Sequence, residues 1–155
     1  QKFRHRQRQL RRCAVSNFNN FNLKIMTPDG VFYDGKAYEL CLMTVDGELA
    51  VLAGHIPYLT AVGMGECRVY EAPDAPPRRA ACCGGMLTVS KEQVVLAPVT
   101  FEWAEDIDLQ RAELALKKAE KKIQSAETDD DKRLAQMKLK RAQVRIKAAS
   151  NAKKA

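Results

Sequence analysis

The chain has 155 residues, with 26 Lys and Arg against 19 Asp and Glu, a formal charge of +7; it is 46% apolar and 29% charged. Those proportions are those of a globular protein rather than a disordered one, and no apolar run approaches the roughly 20 residues that cross a bilayer as a helix. The charge is segregated. Residues 1–20 hold six basic side chains and no acid, residues 21–101 hold six basic and nine acidic (−3), and residues 102–155 hold fourteen basic and ten acidic (+4). A uniformly basic surface for nucleic acid is not what such a distribution encodes.

In chain order, residues 1–20 read as a basic tail, disordered or appended to the natural chain, and they stand outside the fold. Their arginines would also attract polyanions at low salt. Residues 21–100 predict a β-domain of short strands. Phe21 to Met26 alternates apolar and polar before Pro28-Asp29-Gly30, and Val31-Phe32-Tyr33 leads to Asp34-Gly35, which predicts a tight turn. Tyr38 to Val45 is mostly apolar and closes at Asp46-Gly47. Glu48 to Leu52, Tyr58 to Val62 and Cys67 to Tyr70 follow, and the proline-rich Ala72 to Pro77 predicts an exposed loop. Ala80 to Cys83, Met86 to Val89 and Val94 to Ala97 read as further strands, the first two separated by Gly84-Gly85. Short strands with a turn every eight to twelve residues predict a sandwich or barrel.

Residues 101–155 form a second, helical region, for beyond Phe101 the sequence holds no Gly and no Pro. Ala112, Ala115, Leu116, Ala119, Ile123 and Ala126 mark one apolar stripe at helical spacing. Thr128-Asp129-Asp130-Asp131 interrupts it and offers an acidic start to a second helix. There Ala135, Leu139, Ala142, Ile146 and Ala149 form the matching stripe. Small residues let two antiparallel helices approach closely while burying little area. Arg111, Lys118 and Lys122 share one side of the first helix, and Lys138, Arg141 and Arg145 one side of the second. Those stripes either converge on an anion such as a triphosphate or form a solvated basic face.

Five cysteines (Cys13, Cys41, Cys67, Cys82, Cys83) form no CxxC and no Cys/His cluster, which predicts small buried thiols and no metal site. No nucleophile–base pair or paired carboxylates at catalytic spacing point to an enzyme.

Thr27-Pro28-Asp29-Gly30, the run from Asp46 to Thr60 (DGELAVLAGHIPYLT), Gly84-Gly85 and the segment Ala104 to Ala112 (AEDIDLQRA) together resemble the epsilon subunits of F-type ATP synthases, over residues 21–150. The resemblance implies an α+β protein, a ten-stranded β-sandwich followed by an antiparallel two-helix hairpin. It implies a non-catalytic central-stalk subunit that binds the gamma subunit and the c-ring and couples ion-driven rotation to ATP synthesis. Such a subunit is peripheral, on the cytoplasmic face of the bacterial plasma membrane. In bacterial members the hairpin either folds against the sandwich or extends into the alpha/beta catalytic head and blocks ATP hydrolysis. The folded state of some members binds ATP as a regulatory ligand. The family's ligand positions match Glu102, Ile107, Asp108, Arg111, Ala112, Lys118, Arg141 and Arg145. Lys118 is arginine in the best ATP-binding members, and Ala53 stands where the family usually has proline. The position of Glu48 faces the c-ring in the family, and that of His55 lies toward gamma. The competing reading is a nucleic-acid-binding module using the tail and the basic helices. It predicts oligonucleotide binding that survives removal of residues 1–20.

Overall fold

The structure, a computed structural model, describes residues 20–154; the expectation of a basic tail therefore falls almost wholly outside the described residues. Eight strands come first: β1 (Phe21–Thr27), β2 (Gly30–Ala37), β3 (Glu39–Thr44), β4 (Gly47–Leu52), β5 (Tyr58–Ala61), β6 (Met64–Tyr70), β7 (Arg78–Val89) and β8 (Val94–Trp103). A single 3-10 turn, Ala104–Asp106, then leads into α1 (Leu109–Gln124) and α2 (Asp129–Ala152).

The strands hydrogen-bond in the order β2-β1-β8-β7-β6-β3-β4, with β5 paired to β7, and every pairing is antiparallel except that of β1 with β8. β7 and β8 explain how one ladder becomes two layers. β6 opposes only the first half of β7, Arg78 to Cys83, while β5 opposes only the second, Met86 to Val89. Between them Gly84 and Gly85 take φ of 66° and 105°, a region open to glycine, and the strand turns a corner there. A Cβ on Gly85 would collide with the carbonyl oxygen of Ala97. β8 follows β7 through the corner in continuous register, from Val94 opposite Val89 to Trp103 opposite Ala80. Each long strand thus gives one half to each layer. Leu23, Ile25, Leu40, Leu42, Val51, Val69, Leu87 and Leu96 fill the space between, all essentially inaccessible to solvent. Burying each such side chain contributes about 1.5–3 kcal/mol before conformational entropy is counted.

Two expectations change. The resemblance implies ten strands and the structure has eight, because β7 and β8 pass through the glycine corner unbroken where the sequence reads Gly84-Gly85 as a gap. Asp34-Gly35 is not a turn but the middle of β2, paired to Lys24 and Leu23. The Tyr33 ring lies over Gly35, 3.6 Å from where a Cβ would be, which is ordinary contact distance, and the Tyr33 hydroxyl donates to the Lys36 carbonyl at 2.8 Å.

The helices pack antiparallel along an alanine seam, with Ala112 and Ala119 of α1 and Ala135, Ala142 and Ala149 of α2 all buried. α2 alone makes substantial contact with the sandwich, through β6, β7 and the 3-10 turn. Its Val144 and Ala148 close a small apolar cluster with Ala81, Cys83 and Ala104, against which Met64 and Ile107 pack. At the junction the Arg78 guanidinium lies 3.7 Å from the Trp103 ring centroid and donates to Glu105 of the turn, Nε to Oε1 at 2.8 Å.

Candidate functional site

The helix starts are built by their caps. Asp108 stands just ahead of α1, where its carboxylate accepts from the Arg111 amide at 3.1 Å, and the Thr128 hydroxyl accepts from the Asp131 amide at 3.1 Å ahead of α2. Ile107 tucks into the apolar cluster under α2, and buried Ala112 lets the first turn of α1 sit close. These caps and the alanine seam fix the two helices side by side.

Alongside the seam runs a groove of about 320 Å³ lined by Ala115, Lys118, Ala119, Lys122, Lys138, Arg141, Ala142 and Arg145. Alanines floor it and five cations surround it. Arg145 Nε donates to Glu102 Oε2 at 2.7 Å, bringing that carboxylate from β8 to the edge of the helices. Arg141 Nε is buried without a hydrogen-bond partner. A buried donor left unpaired costs about 1–3 kcal/mol, and Nε of Arg68 and of Arg79 in the sandwich is in the same state. Its lining holds five basic side chains and no carboxylate, histidine, serine or cysteine.

Of the residues singled out from sequence, Lys118, Arg141 and Arg145 line this groove, and Glu102 joins it through its ion pair. Ile107, Asp108, Arg111 and Ala112 lie together at the start of α1, outside the groove lining, with the Arg111 side chain exposed. Lys122 and Lys138 belong to the groove as well, and the helical spacing of the basic stripes already grouped them with it. Glu48 and His55 lie elsewhere. Glu48 of β4 is ion-paired with Arg68 of β6. His55 sits in the loop between β4 and β5, its Nδ1 donating to the Ile56 carbonyl at 2.8 Å and its ring centroid 6.1 Å from that of Tyr58. The Ala53-Gly54 turn ahead of it has Gly54 at φ 82°. Ile56, next in sequence, and Leu59 of β5 are exposed.

The four described cysteines are free and buried. Burial pushes the Cys82 thiol up to about 12 and Cys41 to about 11, the latter helped by its hydrogen bond to Glu39; Cys67 is raised as well. Burial also raises Cys83, against the opposing effects of its hydrogen bond with Thr100 and of the nearby Arg141 and Arg145 charges. All four are therefore thiols, not thiolates, at neutral pH. Among the described residues no group of three or more His, Cys, Asp or Glu is placed to hold a metal ion.

The family model for the ATP synthase delta/epsilon chain β-sandwich domain matches residues 20–104, and that for its long α-helix domain matches residues 105–150. The chain belongs to the ATP synthase delta/epsilon chain family. Within it the chain is similar to bacterial epsilon chains. That of Caldicellulosiruptor bescii is 34% identical over 133 residues, 86% of this chain and 96% of that protein. The epsilon chain of Bacillus velezensis is 36% identical over 83% of this chain and 96% of its own length. The solved structure of the Euglena gracilis mitochondrial ATP synthase, OSCP/F1/c-ring in rotational state 1, contains a chain of the same fold, with a TM-score of 0.72 at 19% identity. That match covers 91% of this delta/epsilon family member and 86% of the Euglena chain.

Proposed function

We propose that this chain is the epsilon subunit of the central stalk of an F-type ATP synthase, whose hairpin is a nucleotide-responsive brake on ATP hydrolysis. The sandwich docks on the gamma subunit and the c-ring, with Glu48 and His55 on the docking surfaces. The hairpin, when extended, reaches the alpha/beta catalytic head. No helix of the described residues is long and apolar enough to cross a membrane, and the subunit meets the bilayer only through the assembled complex, on the cytoplasmic face of the bacterial plasma membrane. Family membership and a chain of the same fold in an F1/c-ring assembly support this reading.

The observation that carries the ATP site is the convergence of Lys118, Lys122, Lys138, Arg141 and Arg145 on one groove, with Arg141 Nε buried and unpartnered. A triphosphate neutralises that charge, tying α1 to α2 and favouring the folded hairpin. By linkage it opposes extension only as far as it binds the folded state better. Calorimetric titration of ATP into the purified protein, with ADP and a short oligonucleotide as controls, tests the site. Saturable one-to-one binding that prefers ATP is expected, weakened at least about tenfold by Arg141→Ala. Unchanged affinity in that variant would remove the site from the groove. Failure to bind gamma would overturn the stalk assignment itself.

A further inference from the structure

The second helix is held to the sandwich at a point the groove does not include. The side chain of Glu66, in β6, is 6% exposed and divides its two oxygens between partners on different elements. Oε1 accepts from Arg79 Nη1 of β7 at 2.6 Å, and Oε2 accepts from Asn151 Nδ2, in the last turn of α2, at 2.9 Å. We propose that Glu66 and Asn151 form a nucleotide-independent latch that holds the hairpin on the sandwich and sets how readily it undocks. The inference rests on the reading of the hairpin as a mobile unit.

Three features make this contact a latch rather than a permanent joint. A buried carboxylate stripped of its partners is strongly disfavoured, but Arg79 belongs to the sandwich and stays with Glu66 when α2 leaves. At this contact undocking therefore breaks one charge-assisted hydrogen bond and strands no bare charge. The apolar cluster under the helix is small, with Val144 and Ala148 the members from α2 and Ala81, Cys83, Ala104, Met64 and Ile107 opposite them, so that one bond is a sizeable part of what holds the helix end. Finally, Asn151 lies six residues beyond Arg145, about 9 Å along the helix. An anion in the groove competes with Glu102 for Arg145 but does not reach Asn151. The hairpin thus has two attachments, one that a ligand can rearrange and one that it leaves alone.

Hydrogen exchange of the full chain without nucleotide, followed by mass spectrometry over residues 142–152 and over β7, tests the latch. Asn151→Ala should raise exchange in residues 142–152 by about tenfold to a hundredfold, the worth of a hydrogen bond to a charged group. It should do so although alanine is the better helix former. Asn151→Asp, which sets a second carboxylate against Glu66, should raise it further, and β7 should be unaffected in both. Unchanged exchange in α2 would overturn the latch. A rise shared equally by β7 would overturn it too, since the contact would then support the whole fold. The wild-type protein answers separately for the hairpin: if residues 142–152 exchange only together with β7, the hairpin does not move as a unit. If they exchange faster than β7 and the Asn151 variants change nothing, the latch alone fails.

Discussion

Arg145 Nε lies 2.7 Å from Glu102 Oε2, a contact between α2 and β8 that spans 43 residues of sequence. Both side chains are about one-third exposed, so solvent screens the pair and its worth in the unliganded protein is about 1 kcal/mol or less. Its larger meaning is positional, because the arginine is held at the rim of the groove. Glu102→Gln should shift the thermal midpoint of the unliganded protein by no more than a few degrees. A much larger loss would show that the pair is a structural support.

Lys118 faces Arg141 and Arg145 across the groove as a point charge without a planar fork. Lys118→Arg keeps the charge and adds bidentate geometry toward phosphate oxygens. Several-fold tighter ATP binding, read by calorimetry, is expected. Weaker binding would mean that the longer guanidinium does not fit between the alanines.

Gly85 is the tightest point of the sandwich. Its φ of 105° and the nearby Ala97 carbonyl leave neither the conformation nor the room for a side chain. Gly85→Ala should cost about 3 kcal/mol or more, a loss typical of combined backbone strain and steric overlap. Chemical denaturation will measure it. Gly30→Ala, at a φ of 146° with nothing within 4 Å of its added Cβ, isolates the backbone contribution.

Alkali should destabilise the fold through its thiols. Cys82 is pushed up to about 12 and Cys67 well above its ordinary value, both by burial, whereas unfolded thiols ionise near pH 8.5–9. Above about pH 9 the unfolded chain has released protons that the native state keeps, so unfolding becomes easier as pH rises. The slope is up to about 1.4 kcal/mol per pH unit for each such thiol, and this contribution is absent below about pH 8. Denaturation midpoints between pH 7 and 11 check it, and Cys82→Ala should reduce the slope by about one proton.

The helical half was legible because its signals are local. Alanines at steps of three and four, no glycine or proline, and a capping Thr128 followed by three aspartates all act within one helix; the same spacing grouped Lys138, Arg141 and Arg145 on one helix and Lys118 and Lys122 on the other, though it also put Arg111 with them, which lies outside the groove lining. The β-half was less so. Gly84-Gly85 reads locally as a break, but continuous pairing with β8 carries the strand across it, and Asp34-Gly35 is held extended by β1 in the same way. Glu66 and Asn151 are 85 residues apart, and no spacing rule brings them together. Only the packing of α2 on β6 and β7 does so.

The chain contains one tryptophan, and its position gives the molecule a built-in optical probe. Trp103 closes β8 immediately before the 3-10 turn, edge-on to Phe101 at 4.9 Å and to Tyr33 at 6.5 Å, beneath the guanidinium of Arg78. Arg78 is in turn tethered to Glu105, the second residue of the turn that carries the helices away. Emission from this indole should therefore stay blue while the sandwich is intact, and its intensity should change when a movement of the turn draws Arg78 off the ring. The proposed movement of the hairpin can then be sought in the unlabelled protein.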